Sequence, residues 1–178
     1  MSHPLLDPAK MPHDGCLTLI GMAGAGKSTI GALLSKTLDW PQLDTDQLIE
    51  SFYGAPLQTV FDALGLTEFR RTEDKIVAGL TAKRCVISTG GSVVYGANAM
   101  DNLHDHGPVI FLDAGLETIR KRIGPLDSRG LAIAPGQSFA DLFQERRPLY
   151  RAQADFILNT DSLDSVQCAD AVMAWLAE

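Results

Sequence analysis

The sequence predicts one α/β domain, a three-layer α/β/α arrangement with helices on both faces of a mostly parallel sheet. Short apolar runs alternate along the chain with segments of helical periodicity. A glycine-rich loop joins the first apolar run to the first helical segment, and no linker, repeat or low-complexity block interrupts the 178 residues. Since parallel strands need long crossover connections, which are usually helices, this alternation favours a parallel sheet.

Five short apolar runs are predicted to be its strands, because each ends at glycine or at polar residues typical of turns. They are residues 16–21, a short segment around Leu43, and residues 85–89, 108–114 and 155–160. The helical segments are residues 27–38, 47–54, 56–65, 67–82, 116–123, 139–154 and 164–177. Pro56 and Gly65 are typical start and stop signals for the third of these helices. Pro148 predicts a break in the sixth.

Two segments show no periodicity. Residues 1–14 contain prolines and no helical or strand pattern, so we expect a flexible N-terminal tail ahead of a domain spanning residues 15–178. Residues 124–138 contain three glycines and two prolines, which predicts a mobile loop or lid.

Composition excludes several classes of protein. The formal net charge of −7 argues against nucleic-acid binding, although seven of the fifteen lysines and arginines lie within residues 120–151, where an anionic ligand could bind. The three cysteines lack metal-site spacing and indicate buried thiols in a reducing compartment. No apolar run reaches the ~18 residues of a membrane span, and no signal peptide opens the chain, so we expect a cytoplasmic protein without a membrane partner.

The glycine-rich loop fits the phosphate-binding pattern G-x4-G-K-[ST] completely, between a predicted strand and a predicted helix. Its backbone N–H groups and the helix N-terminus attract phosphate. Lys27 can reach the β and γ phosphates, and the Ser28 hydroxyl can bind Mg²⁺. The alternative is a turn that only packs a helix on a strand. The predicted nucleotide-binding residues are Gly21, Met22, Ala23, Gly24, Ala25, Gly26, Lys27, Ser28 and Thr29.

Three classes of phosphate-binding-loop protein are compatible with this motif. A GTPase should carry NKxD-like and DxxG motifs, and the sequence has neither. An ATPase usually places an Asp-Glu pair after an apolar strand, but in "VIFLDA" Ala114 stands in the place of the glutamate. This class therefore remains a distant alternative. A small-molecule kinase needs a separate acceptor site, and the remaining polar residues favour that class.

Candidate acceptor residues follow the second strand and lie on two later helices. Asp44 and Asp46 flank Thr45, so one carboxylate can support Mg²⁺ through water while the other orients or deprotonates a hydroxyl. The alternative for this pair is a helix N-cap with a solvated neighbour. Arg70 and Arg146 suit bidentate recognition of a carboxylate, although each could instead form a surface ion pair.

The ordered motifs resemble the shikimate kinases, over nearly the whole chain from about Cys16 to Ala174. They are "GMAGAGKST", "LDTDQLIE", "VFDALGLTEFRRTE", "STGGSVV", "SRGLA" and "RRPLYRAQAD". The resemblance implies a nucleoside-monophosphate-kinase-like fold with a five-stranded parallel sheet and a lid. It also implies that ATP, with Mg²⁺, phosphorylates the 3-hydroxyl of shikimate in aromatic amino-acid biosynthesis, and that the protein is a monomer.

The resemblance also implies roles for individual residues. On the nucleotide side, Lys27 and Ser28 would serve phosphate and metal, and Asp44 would support Mg²⁺ through water. Arg122 would flank adenine, and Arg129 in the lid would contact the transferring phosphates.

On the acceptor side, Asp46 would be the base or orienting group, and Arg70 and Arg146 would hold the substrate carboxylate. Gly90 and Gly91 would let the backbone approach the ring. Phe61 and Phe69 would form apolar walls, although plain core packing is the more economical account of both, and Glu73 would support Arg70.

Three departures from the family pattern concern the acceptor side. Ser92 replaces a third consecutive glycine, Gly130 replaces a proline in the lid segment, and Leu66 stands where glutamate is usual. The retained arginines would recognise any small hydroxy acid with a carboxylate. The sequence therefore leaves open an alternative acceptor such as homoserine.

Overall fold

The structure is a computed structural model that describes residues 6–7, 9–123, 132–134 and 136–178. Its sheet has five parallel strands, as the sequence and the family resemblance predict, and their order is β2-β3-β1-β4-β5. The strands are β1 (Leu17–Ile20), β2 (Gln42–Asp44), β3 (Val86–Ser88), β4 (Val109–Asp113) and β5 (Phe156–Asn159). Every residue of β1, β3 and β4 is buried, as expected where both faces of a parallel sheet are covered.

Strand register brings the ends of three strands to one edge. Leu19 of β1 pairs with Ser88 of β3, which also pairs with Asp44 at the end of β2. Because the strands are parallel, the segments that follow β1, β2 and β3 leave the sheet at the same carboxyl edge. Ligands of open α/β sheets bind at this edge.

Seven helices connect and follow the strands in the described chain. They are α1 (Lys27–Leu38), α2 (Thr45–Tyr53), α3 (Leu57–Ala78), α4 (Ala97–His106), α5 (Leu116–Ile123), α6 (Phe139–Ala152) and α7 (Ser165–Ala177). The predicted boundary at Gly65 is a kink in α3, where φ is 70° and the backbone is not helical. None of the described helices is long and apolar enough to cross a membrane.

Two short elements were not predicted from the sequence. They are the 3₁₀ turn Val93–Tyr95 and the helix α4 that follows it. The apolar side of α4 consists of Ala99, Met100 and Leu103, all buried, and is too short to give a strong helical pattern. The three-residue spacing of Met100 and Leu103 was the only indication of this helix that we find in the sequence.

The break predicted near Pro148 is wrong, because α6 continues through this proline to Ala152. Arginines on both sides of Pro148 bind the buried carboxylate of Asp113 at the end of β4. Arg147 donates from Nε and Nη2 at 2.9 and 3.0 Å, and Arg151 donates from Nη2 at 2.6 Å. These tertiary contacts outweigh the local cost of proline in a helix.

The described part of the N-terminal segment is docked, in contrast to the flexible tail expected for residues 1–14. The backbone N–H of Asp7 donates to the carbonyl of Leu176 at 2.8 Å, and Lys10 Nζ donates to the carbonyl of Trp175 at 2.7 Å. Met11 is buried in the main core. The segment therefore binds carbonyls that the last turn of α7 leaves without helical partners.

The predicted lid over residues 124–138 lies mostly outside the described residues. Arg129 and Gly130 are among those outside, so the structure does not place them. Ala132 to Ala134 and the residues from Gly136 to Ser138 are described and have no regular secondary structure.

We expect Met11→Ala to lower the free energy of unfolding by about 2–3 kcal/mol, because a buried side chain is removed from a packed core. Chemical denaturation followed by far-ultraviolet circular dichroism measures this change. The exposed neighbour His13 is the control, and His13→Ala should leave stability within about 0.5 kcal/mol. Equal, small effects of both variants would mean that the N-terminal segment is not docked in solution.

Candidate active site

The phosphate-binding loop follows β1 and ends where α1 begins at Lys27. All three of its glycines have a positive φ that other residues rarely adopt, 142° at Gly21, 82° at Gly24 and 104° at Gly26. A Cβ at Gly21 would lie 2.8 Å from the carbonyl oxygen of Leu112, and one at Gly24 would lie 2.5 Å from Cγ1 of Ile123. The loop conformation therefore requires glycine, and it places the N-terminus of α1 where it attracts an anion.

Lys27 is buried at the start of α1. Its Nζ donates to the carbonyl oxygens of Gly21 and Met22 at 2.8 and 2.9 Å. Burial lowers the pKa of Lys27 to about 8, and the nearby carboxylates of Asp46 and Asp44 partly oppose that shift. The ammonium is thus held inside the loop, where phosphate oxygens could replace the two carbonyls.

Asp44 has two roles at the N-terminus of α2. Its Oδ1 accepts hydrogen bonds from the backbone N–H groups of Asp46 and Gln47 at 2.9 and 3.3 Å, so the N-cap alternative is correct for this residue. Its Oδ2 accepts from the Ser28 hydroxyl at 3.3 Å. A carboxylate and a hydroxyl beside the phosphate-binding loop are the oxygen ligands that Mg²⁺ prefers, so these residues fit that ion.

Asp46 lies in the first turn of α2, half-buried beside Gly90. Its pKa is raised to about 6, first by burial and then by repulsion from Asp44, while Lys27 acts in the opposite direction. A Cβ at position 90 would collide with Asp46 Oδ1 and with Oε1 of Glu73. Both carboxylates therefore approach the same point of the backbone, and a larger residue there would displace their oxygens.

Glu73 is buried in α3 and binds Ser92. The Ser92 hydroxyl donates a short hydrogen bond to Glu73 Oε2. Burial raises the pKa of Glu73 to about 7, and the Ser92 hydrogen bond opposes this shift. Among the described residues, no hydrogen bond or ion pair joins Glu73 to Arg70, the partner that the family resemblance implies.

Arg146 and Arg70 flank a tyrosine. The guanidinium of Arg70 lies 3.6 Å from the Tyr95 ring centroid, and that of Arg146 lies 5.4 Å from it. Arg146 is buried and donates from Nη2 to the carbonyl of Ala132 at 2.8 Å. In the described part of the chain, the buried Nε atoms of both arginines have no hydrogen-bond partner, so each retains a donor for an anion.

Many of these residues line a cavity of about 590 Å³, although Glu73, Arg70 and Tyr95 lie outside its lining. The lining joins the phosphate-binding loop to Asp44, Asp46, Gly91 and Arg146, and it extends to Arg122, Thr160, Leu163, Asp164, Ser165 and Cys168. Arg122 donates from Nη2 to the Thr160 carbonyl at 2.9 Å. Residues predicted to bind the nucleotide and residues predicted to bind the acceptor thus line one cavity.

Residues 23–177 match the sequence model of a family described as shikimate kinase. The chain belongs to the shikimate kinase family. It is 37% identical over 168 residues to the shikimate kinase of Moorella thermoacetica, covering 91% of this chain and 96% of that protein. It is 36% identical over 162 residues to the shikimate kinase of Tolumonas auensis, covering 89% and 94%.

Solved structures of shikimate kinases share the fold. The enzyme of Acinetobacter baumannii in complex with shikimate superposes with a TM-score of 0.82 at 30% identity, covering 90% of this chain and 92% of that one. The enzyme of Aquifex aeolicus gives 0.72 at 27% identity, covering 90% and 95%. Shikimate kinases are ATP-dependent phosphotransferases that act on a hydroxyl group, so this chain is an enzyme of that class.

Two departures from the shikimate kinase pattern lie within the described residues. Ser92 lines the cavity with its buried side chain. Leu66 packs outside the cavity, against a small second core that contains Phe69. Phe61 packs edge-to-face on Phe69, with ring centroids 5.4 Å apart, so plain packing accounts for Phe61 while Phe69 also lines the cavity.

Sequence reasoning missed Tyr95 and Glu145 of this shikimate kinase site. The Tyr95 hydroxyl donates to Glu145 Oε1, and Glu145 lies 4.0 Å from Arg70. Neither residue belongs to a motif, and the 3₁₀ turn that carries Tyr95 was itself not predicted. The contact of Arg70 and Arg146 with the Tyr95 ring is visible only in the three-dimensional structure.

We expect Tyr95→Leu to raise the acceptor KM about tenfold, because two cation–π contacts that hold the arginines are lost. The KM for ATP should change less than twofold, since Tyr95 does not contact the phosphate-binding loop. Steady-state kinetics with each substrate varied in turn separate the two constants. Tyr95→Phe is the matched control and should stay within about threefold of wild type, because the ring remains. A similar loss in both variants would assign the effect to the hydroxyl instead.

Proposed function

We propose that this protein transfers the γ-phosphoryl group of ATP to the 3-hydroxyl of shikimate. Membership of the shikimate kinase family supports the reaction class, and the relative from Acinetobacter baumannii with bound shikimate supports the acceptor. The observation that carries the proposal is the single cavity in which the phosphate-binding loop, Asp46 and the buried Arg146 meet.

The nucleotide end depends on residues of the loop and of α5. Backbone N–H groups of the loop and the N-terminus of α1 bind the phosphates, and Lys27 exchanges its two carbonyl partners for phosphate oxygens. Ser28, with Asp44 through water, would hold Mg²⁺, which would neutralise charge on the phosphates. Arg122 flanks the adenine. Lys27, Ser28, Asp44 and Arg122 all line the same cavity, which supports these roles.

The acceptor end depends on Asp46 and two arginines. Arg70 and Arg146 bind the carboxylate of the acceptor through the fork of the guanidinium. Asp46 orients the reacting hydroxyl and accepts its proton, a role that its raised pKa favours because the carboxylate is then a stronger base. The backbone at Gly90 and Gly91 passes close to the acceptor.

Arg129 is proposed, from the family resemblance alone, to contact the transferring phosphoryl group. Closure of the segment that carries it would exclude water, which competes with the acceptor hydroxyl. We also propose a monomeric, cytoplasmic enzyme without nucleic-acid or membrane partners.

A second candidate acceptor is another small hydroxy acid with a carboxylate, such as homoserine. The observation that favours it is the Ser92 side chain, which adds a hydroxyl and binds Glu73 inside the acceptor end. The nucleotide chemistry would be unchanged.

A coupled assay of ADP release tests the proposed function. Purified protein with Mg-ATP is assayed without acceptor, with shikimate and with homoserine. Turnover with shikimate supports the main proposal, whereas turnover with homoserine alone supports the second candidate. Steady ADP release without acceptor would mean an ATPase and would contradict both.

We expect Asp46→Asn to lower kcat by about 10²–10⁴-fold, because an amide cannot accept the hydroxyl proton. Binding of ATP, measured by calorimetry, should remain within about threefold, since the loop is unchanged. Asp170→Asn removes an exposed carboxylate of α7 and serves as the control with full activity. Full activity of Asp46→Asn would remove this residue from the reaction.

A further inference from the structure

Ser92 brings a polar side chain to a point where the family pattern has glycine. It is 4% exposed, and its hydroxyl donates to Oε2 of Glu73, which is 1% exposed. The pair joins the start of the 3₁₀ turn to α3, nineteen positions apart in the sequence. A buried serine that makes this hydrogen bond must fix the direction of the Glu73 carboxylate.

The other oxygen of Glu73 has no partner. Among the described residues, Glu73 Oε1 is a buried oxygen without a hydrogen bond. It approaches the backbone at Gly90 together with Oδ1 of Asp46, since a Cβ there would collide with both oxygens. Leaving a buried acceptor unsatisfied is costly, so a ligand that supplies a donor here gains affinity.

The surrounding charges do not take over the role of Ser92. The charged groups that act on Glu73 include Asp46, Arg146, Arg70 and Lys27, and none of them forms a hydrogen bond or ion pair with it in the described chain. Arg70 instead faces Tyr95 and Glu145. The direction of Glu73 therefore depends on the Ser92 hydroxyl.

We propose that Ser92 is a specificity-determining positioning residue. By holding Oε2 of Glu73, it presents Oε1 beside Asp46 as a subsite for a second donor group of the acceptor. The acceptor class is a small carboxylic acid that carries, besides its reacting hydroxyl, another hydroxyl or an ammonium group. This inference rests on the proposed function, because the acceptor must enter the cavity that Asp46 and Ser92 line and reach Glu73 Oε1 beside it.

The test measures acceptor and ATP KM for Ser92→Ala. We expect the acceptor KM to rise about tenfold, as for loss of one hydrogen bond to a charged group, with the KM for ATP within twofold. Glu73→Ala should raise the acceptor KM at least as much. Adding Ser92→Ala to Glu73→Ala should then have little further effect, since Ser92 acts through Glu73.

Ser35→Ala is the matched control. It also removes a serine hydroxyl, one that donates to the carbonyl of Trp40 at the end of α1 and lies outside the cavity lining. It should lower thermal stability without changing either KM. This comparison separates a positioning role from a general loss of stability.

Assays with the two acceptors identify the donor group that binds Glu73 Oε1. If the wild type phosphorylates shikimate, the subsite takes a hydroxyl, and if it phosphorylates homoserine alone, the subsite takes the ammonium; the KM comparison is then made with that acceptor. An unchanged acceptor KM in Ser92→Ala, or a parallel rise in the KM for ATP, would overturn the inference while leaving the proposed function intact. A wild type that turns over neither acceptor refutes the proposed function, and the subsite with it.

Discussion

The structure depends on burying charged groups together at one edge of a parallel sheet. Lys27 and Glu73 are buried and Asp46 is half-buried, and desolvation lowers the pKa of the lysine and raises those of the two carboxyls. Arg146, almost completely buried, supplies a further positive charge. Each group is tolerable only because opposite charges are close by, since an isolated buried ion is very costly. An anionic nucleotide and an acceptor with a carboxylate would add negative charges beside the positive charges of this cluster.

Backbone geometry makes that proximity possible. The strand order places β1 beside β3 and β3 beside β2, so the loop, the carboxylates after β2 and the glycines after β3 leave the sheet side by side. A side chain would crowd the site at Gly90, where two carboxylates approach the chain, and at Gly91, where a Cβ would lie 3.0 Å from Arg146 Nη1. The charged cluster and the glycines therefore constrain one another, and a substitution in one requires an adjustment in the other.

Local signals in the sequence predicted the sheet, most helices, the phosphate-binding loop and the aspartates after β2, because each is encoded within a few neighbouring residues. What could not be predicted depends on distant contacts. Tyr95 meets Glu145 fifty positions away, and Lys10 meets Trp175 at a separation of 165. Helix α6 continues through Pro148, and Arg147 and Arg151 on either side of the proline bind the Asp113 carboxylate. A short stretch of sequence contains no information on such distant pairings. Local propensity therefore predicted a flexible tail over residues 1–14 and a helix break near Pro148.

The two halves of the site are built differently, and this bears on how acceptor preference can change. The proposed nucleotide half is mostly one continuous segment, β1, the loop and α1, whose conformation is set by its own glycines, with Asp44 and Arg122 added from other elements. The acceptor half is assembled from α2, α3, the 3₁₀ turn and α6, and it touches the loop where Tyr150 donates to the Gly91 carbonyl at 2.5 Å and lies 3.7 Å from Met22 Sδ. The Ser92 side chain, where the family pattern has glycine, binds Glu73 of α3, which also belongs to the acceptor half. Substitutions of this kind can alter the acceptor pocket while the residues that bind the phosphates keep their geometry.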